Sequence, residues 1–150
     1  PEDLRMRLEQ TVRTLLESDA ALSALLPGGI YDAEEMDRDN WTLQNVQRAP
    51  SGRLLPFAVL RWGGDVPGGG LNTSGRVTLD VWLYEDSGFA NIRPAMERVR
   101  ELLHLRSFST DEKSVARGMW LGGLGEGVAD ELGKASRNRA RIQFTYAWRT

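Results

Sequence analysis

His104 is the only histidine, and there is no cysteine. Ser-His-Asp chemistry would have to run through that one imidazole, yet the chain contains no G-x-S-x-G elbow to present a nucleophile. His104 falls at the end of a predicted helix, where an imidazolium favours the negative pole, so it reads as a cap or surface residue. Disulfides and cysteine-based metal sites are excluded outright. Asp32, Glu34, Glu35, Asp37 and Asp39 form an acidic cluster. Their oxygens could hold Ca²⁺, but the EF-hand spacing, with its central glycine and closing glutamate, is missing. A solvated loop is the simpler reading. The glycine-rich stretch from Gly63 to Gly75 could suggest a phosphate cradle. It lacks the Gly-Lys-Ser/Thr ending and does not open a helix, so it reads as a hairpin loop. Arg137, Arg139 and Arg141 sit at period two on one strand face. They could touch phosphates, or pair across the sheet with a carboxylate such as Asp80. Pairing is favoured, because no other basic stripe is visible in the sequence. These residues point to no enzyme, cofactor or metal.

The elements that position these residues follow from periodicity. Leu4, Leu8, Val12, Leu15 and Leu16 recur at helical spacing and predict a helix over 2–17. Ser18 or Asp19 caps a second helix over 20–26, which Pro27-Gly28-Gly29 ends. Residues 32–53 read as a long polar loop with room for a helical turn at 40–47. Residues 57–62 and 76–84 read as strands. In the latter, Val77, Leu79, Val81 and Leu83 alternate with Thr78, Asp80, Trp82 and Tyr84. A helix over 91–104 is capped by Asn91, with Pro94 in its first turn. A weaker strand over 114–121 and a glycine-interrupted acidic connection over 122–134 lead to a final strand over 139–148. The expected fold class is α+β, a single mainly antiparallel sheet with helices packed on one face. One domain spans 1–150.

Composition narrows the function. Nineteen basic residues against 21 acidic ones give a formal charge of −2. A general DNA-binding surface usually needs a basic excess. No apolar run approaches the ~20 residues of a membrane span, and the charged, amphipathic N-terminus does not read as a signal peptide. Core packing accounts for most of the five tryptophans. Trp82 and Tyr84, on the polar face of their strand, and Trp41, in the acidic loop, are candidate subunit contacts together with Arg139 and Arg141.

The order of these segments carries a resemblance. Ala20-Ala21-Leu22-Ser23-Ala24-Leu25-Leu26 precedes Gly29-Ile30-Tyr31-Asp32. Leu55-Pro56-Phe57-Ala58-Val59-Leu60 follows, then Arg76-Val77-Thr78-Leu79-Asp80-Val81-Trp82, an amphipathic helix ending Leu102-Leu103, and a closing aromatic strand. Over most of its length the chain resembles the tail terminator and tail completion proteins of long-tailed phages. The resemblance implies a homo-hexameric ring at the head-proximal end of the virion tail, assembled in the host cytoplasm. Such a ring caps the tail tube protein, stops its polymerisation and meets the neck or connector protein of the head. The family carries no active site. On this reading Asp65, Val66, Gly68, Gly69, Gly70, Leu71 and Asn72 form the partner-docking loop. Glu34, Glu35, Asp37 and Asp39 face the channel, where like charge keeps passing DNA from sticking, with no specific binding and no membrane involved. The alternatives are a head completion or stopper protein, and a small ligand- or single-strand nucleic-acid-binding domain.

Overall fold

Alternation of apolar and polar residues builds the centre of the molecule. In the computed structural model, which describes residues 4–33, 48–64, 66–67, 74–110, 113–129 and 135–148, seven strands form one sheet. They are β1 (Ile30–Asp32), β2 (Phe57–Trp62), β3 (Val66–Pro67), β4 (Ser74–Glu85), β5 (Ser107–Phe108), β6 (Lys113–Ala129) and β7 (Ala135–Trp148). The order is β1-β2-β4-β7-β6-β5, with β3 pairing the start of β4. Every pair is antiparallel except β1 with β2. The α+β fold class is therefore as expected, with a mainly antiparallel sheet.

Three helices, α1 (Leu4–Ser18), α2 (Ala20–Leu25) and α3 (Ile92–Leu103), cover one face. The buried Leu8, Val12 and Leu16 of α1 and Ile92, Met96, Val99 and Leu103 of α3 meet Val77, Leu79, Val81, Leu83, Ile142 and Phe144 from the sheet. Asp19 caps α2 by accepting from the Leu22 amide at 2.9 Å. The same carboxylate takes Arg98 of α3 through two nitrogens at 2.9 and 2.7 Å, which ties α2 to α3. Arg13 of α1 reaches Asp32 at 2.6 Å and the Ile30 carbonyl at 3.0 Å, which docks α1 onto β1.

Three expectations change. Asn91 precedes α3, but its side chain does not cap the helix. Glu85, at the end of β4, does so instead: its carboxylate accepts from the amides of Asn91 and Ile92 at 3.1 and 3.3 Å and from the Asn91 side chain at 2.6 Å. The weak strand expected over 114–121 runs on through most of the supposed connection, and β6 ends only at Ala129. Its partner β7 starts at Ala135 rather than 139. The glycines of β6 interrupt the alternation without interrupting the ladder, because two register shifts absorb them as bulges. Gly122 and Gly125, at φ of 127° and 100°, take the left-handed backbone those bulges use.

The sheet is also not bare on its second face. Phe57, Val59 and Tyr84 form a small second cluster there with Ala33, Leu54 and Ala135. Phe57 and Tyr84 stack with ring centroids 5.0 Å apart.

Candidate functional site

The outer sheet face is the site, and strand register assembles it. Arg61 of β2 lies opposite Asp80 of β4, which lies opposite Arg141 of β7. Val59, Trp82 and Arg139 form the next row, and Phe57, Tyr84 and Arg137 the one after. Toward the other end, Arg76 and Arg117 both lie opposite Thr145. Side chains at paired positions share a face, so arginines scattered from position 61 to 141 come together on this one surface.

Trp82 is at its centre. The guanidinium carbons of Arg137 and Arg139 lie 5.5 Å from its ring, and that of Arg61 lies 6.0 Å away. These are cation–π distances, worth about 0.5–1 kcal/mol each at exposed positions. Arg139 also donates to the Leu124 carbonyl at 3.1 Å. The indole Nε1 of Trp82 is shielded from water and has no hydrogen-bond acceptor among the described residues. Arg141 forms a two-nitrogen pair with Asp80 at 2.7 and 3.1 Å, so the cross-strand pairing read for this arginine is present. Asp80 holds the Arg141 guanidinium above its ordinary pKa, chiefly through that hydrogen bond. The other two members of the row lie against Trp82.

Across β6 the row faces almost no side chains. Gly127, Gly125 and Gly122 lie opposite Arg137, Arg139 and Arg141. The far side of β6 is bordered by one short described strand, β5. Its outer neighbour β5 pairs only with Ala116 and Arg117, and no described strand flanks residues 121–129. Six large hydrophobics are exposed among the described residues, and four of them, Met119, Leu121, Leu124 and Val128, stand on this strand.

The sequence candidates divide accordingly. Trp82, Arg139 and Arg141 share the site. Tyr84 is buried beneath it at 3% exposure, so it supports Trp82 from the second cluster rather than presenting its ring to solvent. Val66 is exposed in β3 and pairs with Arg76. Trp41, Glu34, Glu35, Asp37, Asp39, Asp65, Gly68, Gly69, Gly70, Leu71 and Asn72 lie outside the described residues. Arg61, Arg76 and Arg117 were not singled out in the sequence. Their shared face follows from pairing between distant strands, and only their even or odd position within a strand hinted at it.

Two further polar groups stand out among the described residues. His104 Nδ1 accepts the Trp120 amide at 3.0 Å, a structural role at the end of α3. An open cleft of about 450 Å³ between α3 and β6 contains Arg93 and Glu126. These two bind each other through two contacts of 2.7 Å, so they do not converge on a shared ligand position.

No family model matches the chain, and no curated protein sequence matches it. Its fold is similar to that of a solved chain described as "Virion of native gene transfer agent (GTA) particle", at 15% identity and a TM-score of 0.63, with 91% of each chain covered.

Proposed function

We propose that this chain is a virion assembly protein, a tail terminator whose copies form a homo-hexameric ring on the tail tube. The ring stops tube polymerisation and joins the tail to the neck. One observation carries the reading: among the described residues, helices cover only one face of the sheet, no strand flanks β6 along 121–129, and Met119, Leu121, Leu124 and Val128 of that strand are exposed. Uncovered edges and exposed apolar side chains are what assembly consumes. The likeness to a chain from an assembled virion supports this at the level of fold. The reading assigns the chain no reaction. It places the loop around Gly68, Gly69 and Gly70 against the tube or neck, and Glu34, Glu35, Asp37 and Asp39 along the DNA passage.

Electron microscopy of particles assembled without the protein tests the proposal. Tails of irregular length, detached from heads, are expected, and a label on the protein should appear at the head-proximal end of complete tails. Tails of normal length firmly joined to heads would end the proposal. A label on the portal side would move the protein to the head-completion class.

A further inference from the structure

We infer that residues 121–129 of β6 are a strap, latched onto α3 by the Arg93–Glu126 pair and able to lift from the sheet when that pair breaks. The inference concerns the chain by itself and stands apart from the ring reading above.

The sequence makes this stretch weak. Four of its nine residues are glycine, at 122, 123, 125 and 127, and Glu126 is its one charged residue. None of residues 121–128 is buried. Strand β7 pairs with the stretch on one side, and among the described residues no strand flanks the other. The two register shifts skip Leu121 and Leu124, so neither has a partner position on β7. A side chain added at Gly122 or Gly125 would meet nothing within 4 Å, so these glycines are not filling a tight place. Few buried apolar contacts and solvent-exposed backbone hydrogen bonds mark a segment that opens locally, below the cost of unfolding the whole. Its start is anchored. Trp120 pairs with Ile142, and the Trp120 amide donates to His104 Nδ1 at 3.0 Å.

Two side chains act on this weak stretch. Arg139 of β7 donates to the Leu124 carbonyl at 3.1 Å, a contact within the sheet. Arg93 of α3 binds Glu126 through two nitrogens, both at 2.7 Å. A two-nitrogen pair fixes direction as well as distance. Arg93 is braced for the task, because its guanidinium carbon lies 4.9 Å from the ring of Phe89, which packs against the core. The Arg93 hydrogen bond also holds the Glu126 carboxyl below its ordinary range. Core, Phe89, Arg93 and Glu126 thus form one line of contacts to a stretch that buries none of its own residues.

Once released, the strap has an alternative arrangement. Gly123 and Glu126 line the cleft from β6, while Arg93, Pro94, Met96 and Glu97 line it from α3. Lifting the strap widens this cleft beside Met96 and Trp120. Glu97 stands four residues along α3 from Arg93, within reach of its guanidinium after Glu126 leaves. Arg93 therefore has an acidic partner with the strap down and another with the strap up.

Hydrogen exchange of the full chain tests the latch, read on the amides of 122–128 against those of 77–83 in β4. At about 0.05 M salt the wild-type strap is expected to exchange more slowly than an unstructured peptide and faster than β4. R93A and E126A are each expected to speed exchange of the strap about two- to fivefold and leave β4 unchanged. Raising salt to about 1 M is expected to speed the wild-type strap similarly and to leave that of R93A where it was, because an exposed pair is screened. The swapped pair R93E/E126R is expected to recover wild-type protection. Any of five results overturns the inference: a single variant whose strap exchanges like the wild type, a wild-type strap as unprotected as a free peptide, a wild-type strap no faster than β4, an acceleration shared equally by β4, or a swapped pair no better protected than R93A.

Discussion

Replacing Glu85 by alanine is expected to destabilise the fold more than most surface changes, because Glu85 is the cap of α3. The carboxylate is 7% exposed and holds three donors. Alanine leaves the Asn91 and Ile92 amides without that acceptor, and the Ile92 bond is buried. The half-buried Asn91 side chain can turn toward water, so its loss costs little. Two backbone donors left in a protected place, at about 1–3 kcal/mol each and less than additive, give about 2–4 kcal/mol. For a chain of this length that lowers the melting temperature by about 5–12 °C. Glutamine separates acceptor from charge. Its carbonyl can still take both amides, and its NH₂ can donate to Asn91 once that amide flips. Only the interaction of a full negative charge with the helix N-terminus is lost, about 0.5–1 kcal/mol. Urea denaturation of both variants measures this. An E85A protein within about 0.5 kcal/mol of wild type, or an E85Q protein as unstable as E85A, refutes the capping argument.

Two further variants probe how the helices are tied to the sheet and to each other. Arg98, with the Leu22 amide adding to it, holds the Asp19 carboxyl at about 2, below its usual 3.8. A depressed carboxylate stabilises the fold above its unfolded value, so this contribution is full above about pH 4 and drains away as pH falls toward about 2. Asp19→Asn keeps a competent cap but removes the charge, and its stability is expected to fall less steeply with acid than that of the wild type; an identical acid slope refutes the assignment. A Cβ at Gly118 would strike the Leu103 carbonyl oxygen and approach Phe144 Cε1 at 3.1 Å. Gly118→Ala is therefore expected to push β6 from the end of α3 at a cost of about 1–3 kcal/mol, and calorimetry showing wild-type stability would contradict that close approach.

What could be read in advance followed local periodicity. Strand β2 is bounded at 57–62 in sequence and structure alike, since its apolar, β-prone run is short and closed by proline and glycine. The burial of Val77, Leu79, Val81 and Leu83 came from strict alternation. That alternation, carried one step further, places Glu85 on the helix side, so the cap of α3 was legible and Asn91 was the wrong choice. Strand β6 was not legible beyond 121. Glycines at 122, 123, 125 and 127 erase the pattern of side chains, and only pairing with β7 makes the segment a strand. The site shows the same division. The facing of Asp80 and Arg141 could be guessed from parity within two strong strands. The convergence of Arg61, Arg76 and Arg117 on that face could not, because register between strands distant in sequence is a tertiary property.

The open side of β6 and the arginine face call for different kinds of contact. A long flat edge accepts any strand of another chain and, once paired, offers a new edge for the next. Strand β6 is not such a template: its ladder shifts between Trp120 and Gly122 and again between Gly123 and Gly125. Bulges twist an edge away from regular addition. Backbone pairing along residues 121–129 is thereby discouraged even though no described strand flanks the segment and Leu121, Leu124 and Val128 are exposed on it. Association is left to side chains, and the exposed ones on this strand include Met119, Leu121, Leu124 and Val128. A heterologous contact through such side chains closes into a ring only where the rotation from copy to copy divides a full turn, and otherwise runs on as a filament.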